Sequence, residues 1–280
     1  MKLHTIKNLF AKSEKTDWAL PHFNTHNAEL VRAVIKAAEA EKAPVIIAVG
    51  PSSISHLGSL AALSELIKVM VKESSASVAL HLDHAKDINL VKAALDCGFS
   101  SVMFDGSSLE YAENVRLTSE VVKMAHDKGA DAEGEIGMVP HGADAIGKTP
   151  LTDIEQALEF AEKTKVDLLA VSVGSSHSMR SQDATLDVEL IKKIYTAGKV
   201  PLVLHGGSGV VDADIKRAIP CGLRKININT ALKMAFVNGI EKELAKDKTI
   251  DMLPLFQSGM NSAEAYAIDR IKLCNASNRA

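Results

Sequence analysis

The sequence has few cysteines, no excess of charge of either sign and no long apolar stretch. Its three cysteines, Cys97, Cys221 and Cys274, lie far apart among 280 residues, which argues against a disulfide framework or a CxxC metal site and favours a reduced, cytoplasmic setting. A net charge of −3 gives no sign of nucleic-acid or anionic-membrane binding. The first segment, MKLHTIKNLFAKSEK, lacks the apolar core of a signal peptide, and no run reaches about 18 apolar residues. We therefore expect no nucleic-acid partner and no membrane span.

The chain also lacks a linker or low-complexity segment, so residues 1–280 are expected to form one domain. Short apolar runs alternate with amphipathic segments along its length. Most of these runs are continuously apolar, which is typical of parallel strands buried on both faces. We predict strands at 18–24, 43–49, 77–83, 101–106, 130–137, 166–174, 200–207 and 224–230. Eight such units in this length favour an α/β fold, a (β/α)₈ TIM barrel, over an open doubly wound sheet.

The helices between these strands can be placed from their capping residues and their periodicity. Asn27 is predicted to cap the helix over 27–42, because an Asn side chain accepts from the free N–H groups of a first turn. Thr152 is predicted to cap the helix over 152–165, with Glu155 completing a capping box. The tail over 248–280 predicts one or two extra helices after the eighth unit.

Polar side chains stand at the end of every predicted strand. In a barrel of this type the active site lies at the C-terminal ends of the strands, so these side chains should converge on one rim. In strand order they are Asn24; Ser52 or Ser53; Asp83 with His84; Asp105; Glu135; His177; His205; and Asn227 with Asn229 and Thr230. Eight such endings on one rim are more than the capping of strand ends requires.

The histidines divide into two groups. His84, His177 and His205 each lie at or just past the end of a different strand, and three imidazoles with an open position are what a catalytic Zn²⁺ requires. Without the barrel, a structural role for these side chains is the alternative. His22 and His26 flank Asn24 and could line the rim or serve structural roles; His81 alternates with Asp83 and should face the same side of its strand.

The segment LHGGSG, residues 204–209, is a candidate phosphate loop. Its glycines permit a turn with exposed N–H groups, and it precedes a helix predicted to begin near Val211. Barrels of this type often bind phosphate at the loops after strands seven and eight, where this loop and INT at 228–230 fall. The alternative is a plain glycine turn.

These motifs, in this order, resemble those of the class II ketose-bisphosphate aldolases, in the branch that includes tagatose- and fructose-bisphosphate aldolases. The resemblance runs over nearly the whole chain, through PHFNTHNAEL, HLDHA, SVMFDGSS, AEGEIG, VGSSHS, LHGGSG, KININTAL and IKLCNASNR. It implies a zinc-dependent (β/α)₈ barrel that reversibly cleaves a ketose phosphate to dihydroxyacetone phosphate and an aldehyde. It also implies a homodimer or homotetramer.

The resemblance implies a metal site with five contributors. His84, His177 and His205 correspond to the zinc ligands of the family. Glu135 corresponds to a glutamate that joins the ion when it occupies an inner position. Asp105 corresponds to a carboxylate that contacts a metal-binding histidine or a second cation.

The resemblance implies substrate contacts as well. Asp83 corresponds to the acid–base residue that handles the hydroxyl of the cleaving carbon, and Asn24 and Asn227 to substrate-binding asparagines. The phosphate-binding positions are Gly206, Ser208, Asn229 and Thr230. Family members can also hold a monovalent cation, Na⁺ or K⁺, beside the phosphate.

The chain departs from the family pattern in the loop after strand five and beside His177. Where many relatives carry a long mobile loop with a proton-transferring glutamate, this loop is shorter and the position of the glutamate is Ala143. Asp144 or His141 could take over the proton transfer, or both could be solvated loop residues. The usual glycine after the strand-six histidine, which helps hold phosphate and the monovalent cation, is Ser178 here. These changes bear on the substrate more than on the metal or the fold.

The C-terminal Arg279 has two readings. The tail IKLCNASNRA ends in polar residues, and such ends are usually frayed. Some relatives, however, use a C-terminal arginine from a neighbouring subunit to grip the distal phosphate of the sugar, because a guanidinium can bond two phosphate oxygens at once.

Three functional hypotheses follow. The leading one is a zinc aldolase acting on a phosphorylated ketose. The second is another metal-dependent sugar-phosphate enzyme, such as an epimerase or a hydrolase that uses zinc-bound water. The third is a catalytically weak aldolase homologue retained as a binding subunit. Release of a triose phosphate from a ketose phosphate, lost on chelation, separates the first from the other two.

Overall fold

The computed structural model describes residues 3–11 and 17–280 and contains a closed barrel of eight parallel strands. Each strand pairs with the next along the chain, and the eighth closes on the first. The strands are β1 (Leu20–Asn24), β2 (Val45–Val49), β3 (Val78–Ala85), β4 (Ser101–Phe104), β5 (Asp131–Ile136), β6 (Leu168–Val171), β7 (Leu202–Leu204) and β8 (Leu223–Ile228). The predicted (β/α)₈ barrel is confirmed, although β6 and β7 are shorter than the apolar runs that predicted them.

Helices cover the outside of the barrel. They are α1 (Ile6–Ala11), α2 (Ala28–Glu41), α3 (Pro51–Leu57), α4 (Leu60–Lys72), α5 (Ile88–Asp96), α6 (Tyr111–Asp127), α7 (Ile154–Thr164), α8 (Val188–Gly198), α9 (Asp212–Ala218), α10 (Thr230–Lys246) and α11 (Met252–Leu273). Over residues 248–280 one helix, α11, follows the eighth βα unit and packs against α10 and α2. The short α1 and the division between α3 and α4 were not predicted.

Burial of the strands explains their apolar composition. Every strand residue apart from His84 is buried, because helices cover the outer face of the sheet and side chains fill its interior. The helices contribute one apolar face each, as in α2, where Leu30, Val31 and Val34 are buried. The barrel therefore holds its shape by burial on both faces of the sheet, which leaves the strand ends free to carry polar groups.

One predicted helix cap is correct and the other is wrong. Asn27 caps α2, its side chain accepting from the N–H of Leu30 at 3.0 Å. At α7 the cap is Asp153 rather than Thr152, and the Asp153 carboxylate accepts from the N–H of Gln156. Thr152 is buried instead: its hydroxyl donates to the Ile136 carbonyl and accepts from the Ser172 N–H, both at 2.8 Å. The threonine thus ties the end of β5 to the end of β6.

Within residues 3–11 and 17–280, no single helix is long and apolar enough to cross a membrane. One bent pair, α3 with α4, meets the requirement on length and composition alone.

Candidate metal and substrate site

A cavity of about 340 Å³ lies at the C-terminal ends of the barrel strands. Most of the residues predicted for the site line it. These are Asn24, Asp83, His84, Asp105, Glu135, His141, His177, Ser178, His205, Gly206, Ser208, Asn227, Asn229 and Thr230. The predicted residues that do not line the cavity are Ser52, Ser53, Asp144 and Arg279. Ser53 is buried instead, and its hydroxyl donates to the Thr25 carbonyl at 2.8 Å. Convergence of the strand ends, inferred from the barrel, therefore holds in the structure.

Three imidazoles meet at one wall of the cavity. One ring nitrogen each from His84, His177 and His205 lies within 4.8 Å of the other two. The ring centroids are separated by 4.5 Å for His84 and His205, 4.9 Å for His84 and His177, and 5.5 Å for His177 and His205. Three imidazoles around one point, open toward a cavity, match the residue types of a catalytic zinc site.

A backbone irregularity lets two consecutive residues of β3 face the cavity. Side chains on a regular strand alternate between faces, so Asp83 and His84 could not both point inward. The pairing of β3 with β4 shifts register between Leu82 and Ala85, and His84 takes a φ of 51° in the left-handed region. A histidine is seldom found in that conformation, so the strand end is strained where the ligand is presented.

Left-handed residues also stand beside the other two histidines. Ser178, directly after His177, has a φ of 61°, and Gly206, directly after His205, has a φ of 69°. A Cβ at Gly206 would lie 2.3 Å from the carbonyl oxygen of Ser176, so only glycine fits there. His177 and His205 therefore lie in segments that follow β6 and β7, whereas His84 lies within the irregular end of β3.

Carboxylates orient two of the three rings. Asp105 lies 3.2 Å from Nδ1 of His84, and Glu133 lies 3.2 Å from Nε2 of His205. The opposite nitrogens, Nε2 of His84 and Nδ1 of His205, lie 2.9 Å from each other. A carboxylate that accepts the N–H of one ring nitrogen leaves the lone pair of the other free for a metal.

The electrostatics of the three rings differ. Burial alone would lower the pKa of His84, but the carboxylates of Asp83 and Asp105 raise it to about 9. Burial and the neighbouring His205 lower the pKa of His177 to about 2. In the absence of metal, the raised pKa favours a protonated His84.

Glu135 completes a second possible ligand group. Its side chain is buried, and Oε2 has no hydrogen-bond partner among the described residues. Burial raises the pKa of Glu135. Oxygen and nitrogen atoms of Glu135, His84 and Asp105 lie within 4.8 Å of one another. A buried carboxylate oxygen without a donor is the expected partner of a cation, so the donor set fits a metal ion on this observation too.

Asp83 stands beside the imidazoles as a buried, ionised carboxylate. Asn24 Nδ2 donates to Asp83 Oδ2 at 2.8 Å, and Asn227 Nδ2 approaches Oδ1 at 3.4 Å. Burial opposes ionisation, but the positive charge of His84 leads a set of neighbours that hold the pKa of Asp83 well below its usual range. The carboxylate is thus available as a proton acceptor.

The two predicted phosphate loops lie side by side. The Ser208 hydroxyl accepts from the backbone N–H groups of Asn229 and Ala231, at 3.2 and 3.3 Å. This hydroxyl ties the glycine loop after β7 to the first turn of α10, whose N-terminus opens on the cavity. Lys233, one turn into α10, also lines the cavity, and burial lowers its pKa. Backbone N–H groups and a nearby ammonium are suited to an anion.

The loop after β5 is joined to the His177 segment through its backbone. The N–H of His177 donates to the Pro140 carbonyl at 2.8 Å, and the N–H of Gly142 donates to the His177 carbonyl at 2.9 Å. The His141 ring stacks on the His177 ring, with centroids 4.7 Å apart and an angle of 26°. Asp144 lies exposed on the following 3₁₀ turn, outside the cavity. Of the two candidates for proton transfer, the structure brings His141 to the site and leaves Asp144 away from it.

Arg279 lies at the opposite end of the barrel. Its guanidinium pairs with Asp17, which precedes β1, at 3.2 Å. The neighbouring Asn278 donates its backbone N–H to the carbonyl of Glu41 at the end of α2. Within its own chain, Arg279 is therefore remote from the cavity.

Sequence reasoning missed part of the site. Lining residues that were not predicted are Lys86, Ser107, Ser108, Met138, Val139, Met179 and Lys233. Two buried charges beneath the cavity, Glu133 and Lys225, were also missed; they form an ion pair of 2.9 Å. Their signal was present, because each lies two residues before a predicted site residue, Glu135 or Asn227, and so faces the same side of its strand.

Comparisons with known proteins agree with this geometry. The family model described as "Fructose-bisphosphate aldolase class-II" matches residues 4–279. The sulfofructosephosphate aldolase of Alkalicoccus urumqiensis is 38% identical over 240 residues, covering 84% of this chain and 83% of the relative. The fructose-bisphosphate aldolase of Geobacillus stearothermophilus is 34% identical over 285 residues, covering 100% of this chain and 99% of the relative. The crystal structure of the YdjI aldolase from Escherichia coli K12 superposes with a TM-score of 0.87 at 33% identity, covering 100% of both chains. The chain therefore belongs to the class-II fructose-bisphosphate aldolase family and is a carbon–carbon lyase of the aldolase type.

Proposed function

We propose that this aldolase is zinc-dependent and reversibly cleaves a phosphorylated ketose to dihydroxyacetone phosphate and an aldehyde. The observation that carries the proposal is the juxtaposition of three convergent imidazoles with an ionised carboxylate, Asp83, on the rim of one cavity. The three imidazoles suit a metal ion that acts as a Lewis acid, and the Asp83 carboxylate suits proton transfer. An epimerase or a hydrolase has no such specific observation in its favour.

The chemistry can be assigned to residues of this chain. Retro-aldol cleavage removes the proton of a hydroxyl and leaves two electrons on the carbon next to a ketone. Asp83 takes the hydroxyl proton, since its carboxylate is ionised and reaches the cavity. Zn²⁺, if held by His84, His177 and His205, would supply the Lewis acidity that draws this electron pair toward the ketone oxygen. The carbon then takes up a proton, for which His141 is the candidate donor, to give dihydroxyacetone phosphate. No lysine is needed for a covalent intermediate.

The rest of the cavity orients the substrate. The glycine loop after β7 and the N-terminus of α10 receive the phosphate, since their N–H groups and Lys233 face the same space. Asn24 and Asn227 hold Asp83 and present amide groups to the hydroxyls of the sugar. A monovalent cation beside the phosphate remains part of the proposal by family resemblance.

The substrate class is broader than one sugar. One relative is named for fructose bisphosphate and another for sulfofructose phosphate, and both are named as aldolases of phosphorylated ketoses. A ketose with a single phosphate is therefore as suitable a candidate as a bisphosphate.

A substrate panel tests the proposal. Ketose mono- and bisphosphates are incubated with the metal-free protein, with the zinc-loaded protein and with the zinc-loaded protein after chelation, and triose phosphate is measured by a coupled reductase. We expect release of dihydroxyacetone phosphate from at least one ketose, only when zinc is present. Activity that persists without metal, or a product other than a triose phosphate, would exclude the proposed reaction.

A further inference from the structure

Directly beneath Asp83, the interior of the barrel carries polar side chains rather than apolar ones. His22 lies two residues before Asn24 on β1, and Lys225 lies two residues before Asn227 on β8; both side chains are fully buried. Residues two apart on a strand face the same side, so each inner residue supports the one above it. The two asparagines in turn contact the two oxygens of Asp83.

The hydrogen bonds that link Asp83 to His22 through Asn24 indicate which ring nitrogen of His22 carries the proton. Asn24 places its Nδ2, which can only donate, 2.8 Å from Asp83 Oδ2, an oxygen that can accept there. The amide oxygen of Asn24 then faces away from Asp83 and lies 3.1 Å from Nε2 of His22. An oxygen acceptor requires a donor there, so His22 carries its proton on Nε2.

The surroundings of the other ring nitrogen of His22 are consistent with a proton on Nε2. Nδ1 is buried and has no hydrogen-bond partner among the described residues. Burial, aided by the ammonium of Lys225, holds the pKa of His22 well below its usual range. A neutral ring with one N–H therefore has one place to donate, the oxygen of Asn24.

Asn227 is held in the same way on the other side of Asp83. Lys225 Nζ can only donate, and it lies 2.8 Å from Asn227 Oδ1, which turns the Nδ2 of Asn227 toward Asp83. Lys225 also pairs with Glu133, at 2.9 Å, and so has a second task. The role of His22 can be tested more directly than that of Lys225, because the one hydrogen bond of His22 goes to Asn24.

A cation shared by His22, His81 and Asp83 is the alternative for this group of side chains. The geometry disfavours it, because Nε2 of His22 is already engaged with Asn24 and lies 3.7 Å from Asp83. His81 Nδ1 lies 2.8 Å from the Ser101 hydroxyl, and its Nε2 lies 3.9 Å from Asp83. These contacts describe a hydrogen-bonded floor rather than a ligand shell.

We propose that His22 is a positioning residue of the aldolase site: as the neutral Nε2–H tautomer it fixes the Asn24 amide so that Nδ2 holds Asp83 in place. Its effect on rate rests on the proposed function, whereas its tautomer does not. Without the His22 donor, the Asn24 amide is free to rotate and present its oxygen to the carboxylate, which repels it. Asp83 then loses its shortest hydrogen bond and its fixed orientation toward the hydroxyl.

Two amide substitutions separate positioning from packing. In His22→Gln the side-chain amide nitrogen reaches about as far as the imidazole Nε2, whereas in His22→Asn it reaches only the Nδ1 position. We expect the glutamine variant to keep kcat within about threefold, and the asparagine variant to lose roughly 10–100-fold in kcat with KM little changed, since misplacing a catalytic group by about 1 Å can cost that much. Zinc content, measured by atomic absorption, should equal that of the unaltered protein in both variants. Equal losses in both variants would make His22 a packing residue, and full activity in both would remove it from the site.

Nitrogen NMR of the zinc-loaded protein decides the tautomer without any substrate. Histidine labelled with ¹⁵N is incorporated, and the His22 signals are identified by their disappearance in His22→Gln. We expect a protonated Nε2 and an unprotonated Nδ1. A protonated Nδ1, or an imidazolium, would overturn the assignment. If the unaltered protein cleaves no ketose phosphate, the proposed function fails, yet this measurement still supports or rejects the role of His22.

Discussion

Nε2 of His205 lies 3.2 Å from Oε1 of Glu133, on the opposite side of the ring from the Nδ1 atom that faces His84. Because the carboxylate accepts the Nε2 proton, it fixes the tautomer in which Nδ1 carries the lone pair. Lys225, 2.9 Å from the other oxygen of Glu133, holds the carboxylate in the barrel interior. Glu133 thus orients a proposed metal ligand although it does not line the cavity.

The first prediction concerns metal affinity. Glu133→Gln should weaken zinc binding by about 10–100-fold, the usual cost of losing a carboxylate behind a ligating histidine. Because the variant leaves Lys225 without its buried partner, its affinity is measured under conditions in which circular dichroism shows it to be folded. His205→Ala should lose both bound zinc and activity. Competition with a chromophoric chelator measures the affinities, and Glu113→Gln, on the outer helix α6, is the matched control. Stoichiometric zinc in His205→Ala would show that His205 is not a ligand.

The second prediction concerns Asp83. Asp83→Asn should keep its fold and its zinc but lose on the order of 10²–10⁴ in the rate of cleavage, the usual contribution of a positioned acid–base group. The asparagine can still bond Asn24, so any loss reflects the missing proton acceptor. Single-turnover measurement with saturating substrate isolates this step. Near-normal turnover would remove Asp83 from the mechanism.

The third prediction distinguishes His141 from Asp144. His141→Phe keeps a ring stacked on His177 but removes the proton-transferring group. Exchange of hydrogen between dihydroxyacetone phosphate and D₂O, followed by NMR, should slow by about tenfold or more. Asp144→Asn is the matched control from the same loop and should exchange at the normal rate, since Asp144 lies outside the cavity. The opposite pattern would assign the transfer to Asp144.

The fourth prediction concerns pH. The metal-free site holds a proton on His84, whose pKa is raised to about 9, while His177, with its pKa lowered to about 2, is already neutral. Zinc requires neutral imidazole, so below pH 9 its binding should release about one proton from His84 and should tighten as the pH rises. Calorimetry in two buffers of different ionisation enthalpy counts the protons released.

The same shift affects the metal-free fold. A raised pKa means that protonation of His84 stabilises the folded state fully below its ordinary value of 6.5, and that this stabilisation is lost as the pH rises through about 9. Thermal unfolding of the metal-free protein from pH 6.5 to 9 should register the loss, and His84→Gln should lack this component.

The fifth prediction concerns the tail. Arg279 pairs with Asp17 at the end of the barrel opposite the cavity, and such a partly exposed pair contributes about 0–1 kcal/mol. Arg279→Ala should therefore leave KM within about twofold for bisphosphate and monophosphate ketoses alike. A large increase in KM for the bisphosphate alone would mean that the arginine serves the site of a neighbouring subunit.

The fold could be predicted from the sequence because one physical requirement is repeated eight times. A parallel strand covered on both faces must be apolar throughout, and the runs at APVIIAV and VDLLAVSVG meet that requirement. Element boundaries were less certain. Thr152 has the chemistry of a helix cap, yet the structure buries it between two strand ends, because the neighbouring Asp153 can cap α7 while remaining exposed.

The site could be predicted only as far as the barrel brings strand ends together. His84, His177 and His205 are too far apart in sequence for spacing to reveal a ligand set, and only closure of the sheet places them side by side. The register shift that turns both Asp83 and His84 inward depends on one left-handed residue, which composition does not reveal. The layer beneath the site was missed because a buried lysine or glutamate is rare unless paired, and the pair spans two strands.

The ion pair between Lys225 and Glu133 also limits how this sequence can evolve. Both side chains are completely buried, so losing one partner leaves an uncompensated charge at a cost of about 3–5 kcal/mol, while exchanging both for apolar residues can be neutral. We expect selection to act against a change at Lys225 or Glu133 alone. The two positions should therefore change together or remain as they are. Glu133 also contacts His205, so even the joint change would disturb a proposed metal ligand. If that ligand role holds, selection for the metal extends to a lysine that does not line the cavity.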